Sequence, residues 1–196
     1  MVSAVRLPAP ERRQQLLDTA RMVFARSGFH ETSMNDVAAE AGVTKPVLYQ
    51  HFASKRDLFR AVLDDVGRRL EHDIIQSAAK AMTPREQVER GLSAYLQFVE
   101  TDGDGFRLLF TGTSREDDEW VRITQRVEGS IARSIADLID VPGMSTERRI
   151  TFAHGMVGLA EGMVRHSLAA DHDVDSLAAD MATLAWGGLR GLGSTG

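Results

Sequence analysis

The chain contains no cysteine, so disulfides, thiolate metal ligands and cysteine nucleophiles are excluded at the outset. Aromatic residues make up only 6% of 196 residues, with two tryptophans and two tyrosines, so each large ring matters to the packing. No uncharged apolar run approaches the roughly 20 residues that span a bilayer. The opening MVSAVRLPAPERR has no apolar stretch of the signal-peptide kind, and a soluble, cytoplasmic protein is expected. No HExxH pair, nucleophile elbow or glycine-rich phosphate loop is present. His51, His72, His154, His166 and His172 are scattered, and the last two flank an expected helix end, which is poor metal-ligand spacing. The acidic pairs Asp64-Asp65 and Glu116-Asp117-Asp118-Glu119 read as solvated charge or helix N-terminal bias. No enzyme activity, cofactor or metal is expected.

Strand alternation, repeats and low-complexity tracts are also missing. What remains is helical periodicity from end to end, which predicts an all-α chain of about nine helices. The first runs from about Pro10 to Ser27 on a stripe of Leu16, Leu17, Ala20, Val23 and Phe24, and Gly28 stops it. Two short helices follow. A fourth runs from Ser54 to about Ala81, with Leu58, Phe59, Val62, Leu63, Val66 and Leu70 on one face. Thr83-Pro84-Arg85-Glu86 is a capping box with proline at the first helical position. It opens a fifth helix to about Thr101, and Asp102-Gly103-Asp104-Gly105 breaks the chain. Phe106–Phe110, Asp117–Ile139, Ser145–Ala170 and Asp175–Leu192 complete the set. Residues 1–54 form one expected domain and 55–196 a second.

The net charge of −5 divides unevenly: residues 1–60 hold nine Lys/Arg against six Asp/Glu, and the remainder fourteen against twenty-two. A basic head on an acidic body suits a protein whose head meets phosphates, although an asymmetry of this size also arises by chance. The short helices carry the sharper signal. Thr32-Ser33 caps the first, Asp36 favours its N-terminus, and Val37, Ala38 and Ala41 share a face. Gly42 supplies a tight turn, Val43 plugs the core, and Thr44 caps the second helix, whose first turn tolerates Pro46. Leu48 and Phe52 point inward there, while Lys45, Val47, Gln50 and His51 point outward, with Tyr49 between. An outer face offering a cation, methyl groups, an amide, a phenol and an imidazole suits a DNA major groove. The bland reading is a pair of structural helices.

Gly28-Phe29, Thr32-Ser33-Met34, Asp36-Val37-Ala38, Ala41-Gly42-Val43, Lys45-Pro46-Val47-Leu48-Tyr49, His51-Phe52 and Lys55 resemble the N-terminal signature of the TetR family of transcriptional regulators. The likeness is dense from about Glu11 to Val62. It implies a three-helix DNA-binding head on a helical ligand-binding and dimerisation body. Ser33, Thr44, Tyr49, His51 and Lys55 are expected to hold phosphates, and Lys45, Val47 and Gln50 to read bases. Pro46 stands where family patterns often carry glycine, and it stiffens the start of the helix or touches the DNA backbone. Arg6 is either a solvated tail residue or an arm into the minor groove. Phe29 and Phe52 read as core and His30 as surface. One head contacts too few bases to choose a genomic site, so a dimer on a palindromic operator is expected, its reading helices roughly 34–36 Å apart.

Gly155, Gly158 and Gly162 lie on one helix beside Leu159, and glycines in a helix suggest the approach of another backbone. With Leu177, Met181 and Leu184 of the last helix they form the expected dimer face; the alternative is an intrachain hairpin. Tyr95, Phe98, Phe106, Phe110 and Trp120 are individually core candidates, but the resemblance implies a cavity among helices five to eight, with Met156 as an adaptable wall. FVETDGDGFRLLF, KPVLYQHF and AWGGL are similar to actinobacterial regulators of this family that govern fatty-acid synthesis. They point to a hydrophobic effector, with long-chain acyl-CoA as the leading class. Effector binding would move the fourth helix as a lever and change the spacing of the heads. The family at large implies a repressor; an activator and a ligand-independent DNA-binding dimer are the alternatives.

Overall fold

The structure, a computed structural model, describes residues 7–111, 118–170 and 174–192. Among these, nine α-helices, one π-helical turn and no strand are found. The proposed Arg6 arm, Glu116, Asp117 and His172 lie outside the described residues.

Helix α1 (Ala9–Glu31) does not end at Gly28 as the sequence suggests. Gly28 adopts φ 76° and kinks the helix, and Phe29–Glu31 add a further turn. Positive φ is the conformation that glycine reaches without steric cost. Leu16, Leu17, Ala20, Val23 and Phe24 are buried against Val37 and Ala38 of α2 (Met34–Glu40) and Leu48 of α3 (Lys45–His51). A reciprocal capping box starts α2: Ser33 Oγ accepts from the Asp36 amide at 3.2 Å and the Ser33 amide donates to Asp36 Oδ2 at 2.8 Å. Gly42, at φ 65°, turns the chain into α3.

Helix α4 (Lys55–Ala78) begins in the head and runs into the body. Ser54 Oγ caps it by accepting from the Asp57 amide. Leu58, Phe59 and Val62 join the head core, and Leu70 and Ile74 the body core, within one continuous apolar cluster. Helix α5 (Pro84–Thr101) packs back along α4. Thr83 Oγ1 caps it, and the Glu86 carboxylate reaches past the cap to accept from the Met82 amide at 2.8 Å. The single sixth helix expected over Phe106–Phe110 is instead a short α6 (Gly103–Phe106) running into a π-helical turn, Arg107–Thr111. Asp102 caps α6 from just outside it.

Helices α7 (Asp118–Leu138), α8 (Thr146–Ala170) and α9 (Val174–Leu192) complete the body. Arg126 pairs with Asp64, a Cβ on Gly67 would meet Val127, and Ser130 and Ser134 donate to Glu71. The rising order of those pairs shows that α4 and α7 run in the same direction. Trp120, near the start of α7, therefore lies at the head end of α4. It is buried against Phe59 (4.7 Å between ring centroids) and Phe29 (5.1 Å), with the Arg56 guanidinium 5.1 Å from its ring. A second tie is ionic: Asp102 pairs with Arg21 of α1, and Arg69 of α4 spans Asp65 (3.1 Å) and Asp102 (3.5 Å).

Candidate DNA interface and effector cavity

On α3 the inward pair is buried as the pattern requires, Leu48 completely and Phe52 nearly so. The opposite side presents Thr44, Lys45, Pro46, Tyr49 and Gln50, all exposed, with Val47 and His51 half-buried at its edges. Tyr49 is 43% exposed, and the Lys45 ammonium lies 5.9 Å from its ring. Thr44 occupies the N-cap position of α3, but its side chain makes no capping bond. Ser33, exposed at the start of α2, accepts from the Asp36 amide. Hydrogen bonds from the Ser33 side chain first and its backbone second hold the Asp36 carboxyl below its ordinary range.

Lys55 departs from its expected role as a phosphate clamp. Its ammonium donates to the carbonyls of Phe29 (2.7 Å), His30 (3.1 Å) and Thr32 (2.8 Å), and sits 4.5 Å from the centre of the Phe29 ring. An ammonium has three protons, and all three close the C-terminal end of α1, where a cation also meets the negative end of the helix dipole. A cation that sequence reading overlooked is nearby: Arg13 of α1 lies 4.4 Å over the Phe52 ring, beside the end of α3. No local pattern announces a contact between positions so far apart in the chain.

The body encloses an apolar cavity of about 310 Å³. Tyr95, Phe110 and Met156 line it as expected. The other three expected wall residues do not. Phe98 borders a separate polar groove with His72 and Gln97. Phe106 stands behind the wall, between the rings of Tyr95 and Phe110. Trp120 serves the junction with the head. The cavity is built mainly from aliphatic side chains: Leu70, Ile74 and Ala78 of α4, and Ile131, Ile135 and Leu138 of α7. Helix α9 adds Trp186 and Leu189, which sequence reading did not assign there. Because α5 packs back on α4, Pro84 lies at the end of the cavity away from the head and Tyr95 nearer to it. Pro84, Asp140, Pro142 and Arg190 are exposed and form the mouth. The Tyr95 hydroxyl is buried with no hydrogen-bond partner. Burial first, then the charges of Glu161 and Glu128, push the phenol above its usual range.

On the outer side of α8, Gly155 and Gly158 are exposed, and a Cβ on either, or on Gly162, would meet nothing within 4 Å. These glycines serve no close approach inside the chain. Leu184 of α9 is 59% exposed and Leu168 of α8 56%. Leu159 and Leu177 pack partly on the core. Met181, expected on the same face, is fully buried instead; its position on α9 turns it inward.

A short helix with a polar, partly basic outer face, docked across two others on an all-α body, defines a helix-turn-helix DNA-binding regulator. Residues 16–62 match the sequence profile of the tetR family of bacterial regulatory proteins. The transcriptional activator FasR of Mycolicibacterium smegmatis is 34% identical over 187 residues, spanning 94% of this chain and 85% of the relative. A TetR-like regulator from Rhodococcus sp. RHA1 superposes with TM-score 0.74 at 32% identity, covering 95% of this chain and all of that one. The chain belongs to the TetR family of DNA-binding transcriptional regulators. Bacillus subtilis FadR, solved with stearoyl-CoA, shares the fold at TM-score 0.73 and 15% identity, over 88% of this chain and 96% of its own. No helix among the described residues is long and apolar enough to cross a membrane, and no cluster of three potential metal ligands occurs among them.

Proposed function

We propose that this regulator is ligand-responsive, that it binds a palindromic operator as a homodimer in the cytoplasm, and that an effector with a long alkyl chain, foremost a long-chain acyl-CoA, shifts its operator affinity. The observation that carries the reading is the aliphatic cavity between α4 and α7, because both helices continue from it to the head. An alkyl chain gains from every apolar wall it covers. The B. subtilis FadR complex adds an acyl-CoA held on the same fold. Ser33, Thr44, Tyr49 and His51 are assigned to phosphates, Lys45, Val47 and Gln50 to base edges, and Pro46 to the DNA backbone. The dimer pairs α8 and α9 through Gly155, Gly158, Gly162, Leu159, Leu177 and Leu184.

Effector control requires that the ligand favour one of two head spacings, typically by about 1–3 kcal/mol. Repression is the direction the family at large implies; the name of the M. smegmatis relative favours activation as a second reading. Selection of bound DNA from a random pool, with and without stearoyl-CoA, tests the whole proposal. A palindrome enriched in one arm and lost in the other supports ligand control, and transcription from that operator gives the sign. A palindrome indifferent to the ligand removes the acyl-CoA effector. No enrichment in either arm removes the operator.

A further inference from the structure

The cations at the starts of α1 and α4 are engaged within the protein, with one exception. Lys55 spends its protons on the α1 carbonyls, Arg56 lies against the Trp120 ring, Arg60 pairs with Asp57 at 3.6 Å, and Arg12 donates to Gln15. Arg13 differs. Its guanidinium lies 4.4 Å over the Phe52 ring, the residue is exposed, and it makes no hydrogen bond or ion pair among the described residues. A guanidinium carries five N–H donors, and none of these has an acceptor there.

Resting on the reading that α3 enters the major groove, we propose that Arg13 is a phosphate clamp of the DNA interface, holding the backbone at the C-terminal end of α3 in the role that Lys55 does not fill. Helix α3 has seven residues and spans about 10.5 Å. That is close to the roughly 12 Å width of the groove, so whatever borders its last residue stands at a groove wall. The groove is about 8.5 Å deep and a helix with its side chains about 10–12 Å across. The phosphates therefore stand level with the back of the helix rather than with its reading face. Phe52, which ends α3, faces that back side, and Arg13 covers its ring from α1 while remaining exposed. The His51 ring, already assigned to a phosphate, lies 6.4 Å from the same Phe52 ring, so the two donors border one stretch of backbone. A guanidinium takes phosphate through paired N–H bonds. The ring beneath it sets the direction of the side chain before DNA arrives, which lowers the entropic cost of binding.

The test is fluorescence anisotropy of the full chain titrated onto a labelled duplex of mixed sequence, about 30 base pairs long, at salt concentrations from about 50 to 200 mM. Each phosphate neutralised adds about 0.9 to the slope of log affinity against log salt. Arg13→Met keeps an apolar cover on Phe52 without a charge, and its slope should be shallower than the wild type's by about one. Arg13→Lys keeps the charge and should keep the slope. A merely structural stack would move the melting temperature and not the salt dependence. Equal slopes in the wild type and Arg13→Met would overturn the clamp and leave Arg13 a cover for Phe52, with docking through α3 untouched. A slope lowered as much in Arg13→Lys would trace the change to the lost stack rather than the charge, and would overturn the clamp as well. No binding of the wild type to any duplex would overturn the groove reading, and this inference with it.

Discussion

Lys55 directs its ammonium at the protein's own backbone, and that changes what its removal should do. Lys55→Ala strips three carbonyls at the end of α1 of a charged donor. It should cost about 1.5–3 kcal/mol of stability, seen as a lower melting temperature, and it should leave the salt dependence of operator binding unchanged wherever the head is folded. Lys45→Ala should behave in the opposite way. Its side chain is exposed beside Tyr49, so stability should hold while operator affinity falls by about 1–3 kcal/mol and base discrimination relaxes. Competition binding against operators with single base changes checks it. Asp36 supplies a pH dependence. Its folded pKa is held below the ordinary 3.8, so the capping box contributes its full stability above that value and loses it as pH falls through the folded pKa. Asp36→Asn should flatten the acid limb of a circular-dichroism titration. At this scale, roles carried by neighbours in sequence were legible: the Ser33–Asp36 box and the buried Leu48 and Phe52. Lys55 was not, because its partners are more than twenty residues away.

Helix existence was legible from the apolar period almost throughout, and the starts read at Ser33, Ser54 and Thr83 fell within a residue of those observed. The ends were harder to read. Gly28 takes a positive φ that breaks the helical path, yet the chain resumes a helical turn, which Lys55 and the Phe29 ring pin. The cavity was read from aromatic residues, and those proved to divide between wall, backing and junction. Its true walls are ordinary aliphatic positions on α4 and α7 that no local pattern separates from core. Their arrangement depends on how closely those helices approach. A Cβ on Gly67 would lie 2.6 Å from Val127 Cγ1, too close to coexist. Gly67→Ala should therefore push α4 from α7 and cost about 1–3 kcal/mol. Val127→Ala should recover part of that loss, and a double-mutant cycle in denaturant measures the coupling.

For the molecule as a whole, the proposed dimer rests on the exposed apolar residues of α8 and α9. Leu184→Glu puts a charge on a side chain that makes little contact within its own chain, so the isolated fold should keep its melting behaviour in dilute solution. The proposed dimer should dissociate, and operator affinity should fall with it. Sedimentation or size-exclusion chromatography at matched concentrations reads the outcome. The position of the cavity mouth has a consequence for timing. Pro84, Pro142 and Arg190 lie at the far end of the body from α3, so DNA bound along α3 as proposed would not cover the way in. Under the proposed effector control, a ligand would load while the regulator is still on its operator. The lifetime of the DNA complex would then change with effector concentration, rather than waiting for the regulator to let go unaided, and transcription would respond faster than the ligand-free dissociation rate allows.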